Sequence, residues 1–282
     1  MFGFTDRHCF LLAVMLYGLS TLYSVFLWRR GFRRDEWVNY FLLATGVAFH
    51  TLSITRRGMT LEVCPINNLY EATTFLLWAL GLACLVYSLL PRFKFLAAFT
   101  APVLFTVGVF ALMPSLDPPH GAKPEFSGAL RSLHAATILQ SYGAFGLAAV
   151  AAGMFLMQRH DLRFHKLRAM LSLLPSIQRV ELITFRLVAA GFLLLTLGLV
   201  AGWQLPRPHG RPYFSDAKVV WSALLWLAYL ESLVAYRFFG RTGRRFALGI
   251  IILFSALLLT FWLTNLVSAL HQPGVSGDPA SP

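Results

Sequence analysis

The sequence predicts an all-α fold, a polytopic membrane helical bundle of about eight transmembrane helices with both termini on the outer side. Three observations predict it. Hydrophobic residues fill 57% of the 282 positions and charged residues only 13%, with a mean hydropathy of +0.64, which is more apolar than a soluble domain. The apolar residues fall into eight segments of near-spanning length, roughly 20 residues being needed to cross the hydrocarbon. The loops between them divide Lys and Arg unevenly when assigned to alternate sides. In hydrocarbon every backbone N–H and C=O must be paired internally, so the spanning form is helical. Long loops are few, so residues 1–271 read as a single domain. The short Gly, Pro and Ser-rich stretch 272–282 reads as a disordered tail.

The first span, Phe10–Trp28, is followed by Arg29, Arg30, Arg33 and Arg34. A cleavable signal peptide has its basic region ahead of the apolar one, so this span is expected to stay in the mature protein. The second, Val38–Thr55, carries His50 in its outer part. The third and fourth are Leu69–Leu89 and Phe95–Met113. The fifth, Leu133–Met157, is lined by Gly143, Gly146, Ala149, Ala152 and Gly153, and the sixth, Leu187–Trp203, has Gly198 and Gly202 four apart. Small residues at such spacing let membrane helices approach closely, but they locate no site. The seventh and eighth spans are Val219–Tyr236 and Phe246–Leu270. Between the fifth and sixth spans, Leu167, Met170, Leu171 and Leu174 recur at helical spacing opposite Arg163, His165 and Arg168, the pattern of a helix lying in the interface. No internal repeat of fixed period is present.

Cytoplasmic loops collect Lys and Arg. One set of loops holds Arg29, Arg30, Arg33, Arg34, Arg92, Lys94, Arg159, Arg163, Lys166, Arg168, Arg179, Arg237, Arg241, Arg244 and Arg245. The other holds Arg7, Arg56, Arg57, Lys123, Arg131, Arg207, Arg211 and Lys218. The richer set is inside, which orients the chain N-out and C-out and accounts for the net charge of +12. These basic residues lie in short loops beside spans and form no stripe with interleaved aromatics, so anionic lipid headgroups are their partners and nucleic acid is not. Cys9, Cys64 and Cys84 form no close pair. Cys84 reads as packing within the third span, while Cys9 and Cys64 fall at the outer surface, where a disulfide is open but not indicated.

An ionisable group at membrane depth is costly and asks for a partner or a role. His134 opens the fifth span and His271 closes the eighth, so both fall at the outer interface. Either alone is compatible with an ordinary boundary histidine. As a matched pair beside the loop Trp203–Trp221 they suggest axial ligands for a metal. That loop offers the flat faces of Trp203, Tyr213, Phe214 and Trp221 and the cations Arg207, Arg211 and Lys218, which complement a haem's apolar ring and two propionates. The same residues also suit an interfacial aromatic belt. His50 can face the same cavity or hydrogen-bond a neighbouring helix, and the second is the commoner case. His8, His120 and His209 lie on outer segments and read as solvated. Glu231, deep in the seventh span towards the inner side, is expected to pair with Arg186. A proton relay is the rival reading, and it lacks further carboxylates clearly within the bilayer.

The ordered pieces resemble a known family. Pro65 with Asn68-Leu-Tyr-Glu71, Leu133-His134 with Ser141-Tyr142, and Leu174-Pro-Ser with Phe185-Arg186 and Gly191 to Gly198 are similar to segments of the CcsA/CcmC group of cytochrome c assembly proteins. So are Ser215-Asp216-Ala-Lys218 with Trp221 and Trp226, and Leu270-His271. The likeness is to the short eight-span HemX- or YpjD-like branch and covers about His50 to His271. It implies a bacterial inner-membrane protein that binds b-type haem non-covalently at its outer, periplasmic face. His134 and His271 would be the axial ligands of the haem iron, with Trp203, Asp216 and Trp221 as remnants of the family's tryptophan-rich loop. Arg207, Arg211 and Lys218 complete the cofactor-binding set read from that loop. The implied role is in cytochrome c maturation, with other assembly membrane proteins and apocytochrome c as partners. No catalytic residue and no bond-making activity of this chain alone are implied, since an apocytochrome would supply the cysteine nucleophiles.

Two departures qualify the resemblance. The tryptophan-rich core is thinned, with Phe214 and Ser215 near where aromatics are expected. Val63 and Val234 also stand where synthase-type members carry haem-binding histidines inside the bilayer. Valine cannot ligate iron, so no internal haem channel is expected. These departures favour the rival reading of an accessory or regulator of haem synthesis or cytochrome assembly that keeps the fold without transporting haem. A solute transporter is the weaker third reading, because no inverted repeat or pair of interrupted helices is seen.

Overall fold

The apolar segments become eight α-helices among the described residues of a computed structural model, which describes residues 5–30, 36–61, 68–89, 96–117, 129–164, 176–205, 214 and 216–267. They are α1 (Asp6–Arg30), α2 (Glu36–Leu61), α3 (Leu69–Ser88), α4 (Leu96–Ala111), α5 (Ala129–Phe164), α6 (Ile177–Trp203), α7 (Ala217–Phe238) and α8 (Arg244–Val267). A 3-10 turn, Pro114–Leu116, follows α4, and no strand occurs among the described residues. Among the described residues six of the helices are long and apolar enough to cross a membrane, and α4 is a shorter apolar helix with Pro102 inside it. The molecule is a membrane helical bundle. His271, His120, His209, Arg207, Arg211, Val63, Cys64, the interfacial segment around Leu167–Leu174 and the tail 272–282 lie outside the described residues.

Several helices, α5 and α6 above all, run past the expected apolar spans, and two helix starts carry side-chain caps. Asn68 caps α3, its Oδ1 accepting from the Glu71 N–H at 2.8 Å, and Asp216 caps α7, accepting from the Lys218 and Val219 N–H groups at 2.9 and 3.3 Å. A side-chain oxygen at this position takes up a backbone donor that a helix start otherwise leaves unpaired.

The core is built on α3 and α5, each 72% buried over its apolar window against 17% for α7. Helix α5 packs most extensively on α6 and also touches α3, α4 and α8, while α1 packs on α2 and α4. Glycine makes the α3–α5 contact possible: a Cβ at Gly143 would lie 2.5 Å from the backbone carbon of Ala79. Buried Phe145 and Tyr229 stack at 3.7 Å with planes 4° apart and tie α7 to α5. Trp226 ties α7 to α6 by donating Nε1–H to Thr196 Oγ1 at 2.9 Å. Between α1 and α2, Ser20 donates to Asn39 Oδ1 and Asn39 Nδ2 donates to Ser24, so these buried polar groups are paired.

The helices alternate in direction. The starts of α1 and α3, the end of α2 and the turn after α4 meet through Asp6, Arg57, Glu71 and Asp117. The start of α5 meets the end of α6. At the opposite end the Gly243 N–H donates to Glu181 Oε1 at 2.7 Å. One expectation is corrected here. Glu231 pairs not with Arg186 but with Arg241, at 2.9 Å, and the two side chains are about equally exposed, at 62% and 61%. Gly240 and Gly243 adopt φ of +61° and +65° between α7 and α8, a left-handed conformation that glycine enters without steric cost. That turn folds the chain back, the Arg241 N–H donating to the Ala235 carbonyl at 3.1 Å, and so sets Arg241 beside Glu231.

Candidate functional site

His134 lies in the second turn of α5, half-buried against the last turns of α6. Its Nδ1 is 2.7 Å from the Gly198 carbonyl oxygen. A carbonyl has no hydrogen to give, so Nδ1 carries the proton, and in a neutral imidazole the lone pair is then on Nε2. Among the described residues the hydrogen bond of this ring is the one at Nδ1. A ligating histidine typically donates its other N–H to a carbonyl or carboxylate, and His134 meets that requirement on the protein alone. The donor set at this position therefore fits a haem iron.

The neighbouring candidates are arranged around that ring in part. Gly202 lies close against it, and Trp203, the next residue and the last of α6, is 61% exposed. Lys218 is within electrostatic reach of His134. Trp221, three residues on and hence on the same helix face as Lys218, packs on the core with its indole N–H buried and unpartnered among the described residues. Asp216 is 5% exposed and occupied as the cap of α7, so its contribution is to fix where that helix, and with it Lys218 and Trp221, begins. Among the described residues no three His, Cys, Asp or Glu side chains form a metal site.

The sequence model of the cytochrome C assembly protein family matches residues 66–271. The chain belongs to that family. It is similar to the cytochrome c biogenesis protein CcsA of Prochlorococcus marinus, with 26% identity over 264 residues, 83% of this chain and 84% of that protein. It is also similar to the protein HemX of Bacillus subtilis, with 25% identity over 264 residues, 92% of this chain and 94% of that protein. A second HemX, of Brevibacillus brevis, is 25% identical over 221 residues, 77% of this chain and 80% of that protein.

Within this cytochrome C assembly protein the matched region begins at α3, and its opening Asn68-Leu-Tyr-Glu71 has a physical explanation that the sequence alone did not supply. Asn68 caps α3 and donates Nδ2–H to Asp117 at 2.9 Å. Glu71 is fully buried and accepts from Arg57 Nε at 2.7 Å. The same guanidinium donates to Asp6 at 2.8 Å and grips Asp117 through both terminal nitrogens, at 2.5 and 3.3 Å. The Tyr70 ring lies under both Arg57 and Arg7, at 4.9 and 5.3 Å. In the sequence Arg57 is one of the eight basic residues assigned to the outer side. The available signal was Glu71, a carboxylate in the first turn of an apolar helix, which demands a cation.

His50 takes the bland course. It is fully buried, its Nδ1 lies 3.1 Å from Tyr17 Oη and its ring packs on Phe10 at 4.9 Å. These contacts are with α1, away from His134. His8, in the first turn of α1, has its Nδ1 2.6 Å from Thr5 Oγ1. Val234 is half-buried on α7, and Cys9 and Cys84 are buried thiols.

Proposed function

We propose that this protein binds b-type haem non-covalently at the outer face of a bacterial inner membrane, with both termini on that side, and takes part in cytochrome c maturation. The observation that carries the reading is the half-buried His134 at a helix junction, with Nδ1 engaged by the Gly198 carbonyl and Nε2 left for a ligand. His134 and His271 would be the residues that hold the haem iron. Lys218, Arg207 and Arg211 supply cations for the propionates, and Trp203 and Trp221 supply apolar faces. Bound haem would be the group delivered to an apocytochrome c, whose thiols take the macrocycle. The chain's own residues bind and orient it, alongside other membrane proteins of cytochrome c assembly. Membership of the cytochrome C assembly protein family and likeness to CcsA over most of both chains support this assignment.

Purification from haem-replete membranes tests it. The wild type is expected to carry haem with a six-coordinate, low-spin spectrum, and His134→Ala or His271→Ala to weaken haem binding by at least about tenfold. A wild type without haem, or a double variant that keeps it, overturns the assignment. A second reading, an accessory protein that keeps the fold without transporting haem, is favoured by Val234 in α7, since valine offers iron no donor within the bundle. A haem-free wild type is the outcome that reading expects.

A further inference from the structure

On α6, Gly191, Gly198 and Gly202 follow one helical stripe, with separations of seven and four residues, and each meets a different residue of α5. A Cβ on Gly191 would lie 2.7 Å from the Phe145 ring, and one on Gly198 would lie 2.6 Å from Ile138 Cδ1. On Gly202 it would lie 2.7 Å from His134 Cε1 and 2.9 Å from His134 Nδ1. Real Cβ atoms do not approach that closely, so the stripe sets how near α6 comes to α5. Only its last member rests on the imidazole. The carbonyl that holds the ring belongs to Gly198, one turn below. A carbonyl oxygen has two lone pairs, so it can serve its own helix and the imidazole together.

We infer that Gly198 and Gly202 are positioning residues for His134: the Gly198 carbonyl fixes the imidazole as its Nδ1–H form with Nε2 available, and the bare face of Gly202 lets the ring lie in reach of that carbonyl. The inference rests on the haem-ligand reading for its purpose, but the tautomer and the seating of the ring are properties of the haem-free protein. Gly202 and Gly191 make similar close contacts to α5, so a purely packing role predicts that both matter alike. A positioning role separates them, because a methyl at 202 pushes the imidazole off the Gly198 carbonyl while a methyl at 191 meets Phe145.

The test has two arms. In haem-free, 15N-histidine-labelled wild type, with His134 assigned by its loss in His134→Ala, the expected signature at neutral pH is a protonated Nδ1 and an unprotonated Nε2. A protonated Nε2 overturns the inference whatever the variants do. In the second arm haem b is titrated into wild type, Gly202→Ala and Gly191→Ala, each first checked for its unfolding midpoint. Gly202→Ala is expected to bind haem about 10–100-fold more weakly, the usual effect of disturbing a ligand's supporting hydrogen bond, with an altered low-spin spectrum. Gly191→Ala is expected to bind like wild type. Equal losses in both variants, or unchanged binding in Gly202→Ala, overturn the inference. Absence of His134-dependent haem in wild type would instead sink the functional assignment, and the tautomer measurement would still decide this point.

Discussion

Arg56 and Arg57 are adjacent and chemically identical, yet the fold treats them differently. Arg56 is exposed, whereas the Arg57 side chain is 11% exposed and holds three carboxylates, those of Asp6, Glu71 and Asp117. Replacing a buried ion network by apolar side chains can be neutral, but removing one member leaves the rest uncompensated at a cost of about 3–5 kcal/mol. Arg57→Ala is therefore expected to lower the denaturation midpoint of detergent-solubilised protein sharply. Arg56→Ala should stay within about 0.5 kcal/mol of wild type. Similar midpoints for the two would show that the network contributes nothing beyond what water would. The distinction was invisible in the sequence because it depends on three carboxylates brought in by other helices. Glu231 illustrates the same limit. Its partner was chosen by a two-glycine turn whose geometry no local pattern encodes.

At the scale of helices, the small residues of α5 read as one class in sequence and separate once packed. A Cβ at Gly143 would lie 2.5 and 2.7 Å from the Ala79 carbon and oxygen, backbone atoms that cannot swing aside, while one at Gly153 meets nothing within 4 Å. Gly143→Ala must force α3 and α5 apart, with an expected cost of about 1–3 kcal/mol. Gly153→Ala should be neutral or stabilising by up to about 1 kcal/mol through helix propensity. Unfolding midpoints of the two variants check this, and a neutral Gly143→Ala would mean that the α3–α5 contact is not tight. All eight helices were legible from apolar run length alone, because in a membrane length and hydropathy dominate other signals. Their ends were legible only in part: α3 begins at Leu69 as expected, whereas α7 begins at Ala217, where Asp216 caps it, and α6 begins at Ile177, well before Leu187. The glycines of α6 were legible as a close-contact stripe, whereas that one of them faces His134 followed only from the register between α5 and α6.

For the whole molecule, orientation is the property that links fold to function. The proposed orientation, argued from the bias of Lys and Arg, puts the turn between α7 and α8 inside and the segment before α7 outside. In a Cys64→Ser background, with Cys9 and Cys84 buried, a cysteine at exposed Phe214 should react with a membrane-impermeant maleimide in intact cells. One at exposed Thr242 should react only after permeabilisation. The reverse pattern would put His134 on the wrong side for the proposed role. The Arg57 network has a further consequence in time. Residue 57 precedes Glu71 by 14 positions and Asp117 by 60, and a membrane protein is inserted in the order it is translated. The first helical hairpin therefore enters the bilayer before Glu71 and Asp117, two of the three carboxylates around its guanidinium, have been made. It reaches its final charge balance only when the chain has been made as far as the turn after α4. The N-terminal pair of helices, which precedes the family-matched region, thus waits during biogenesis on the residues that region brings.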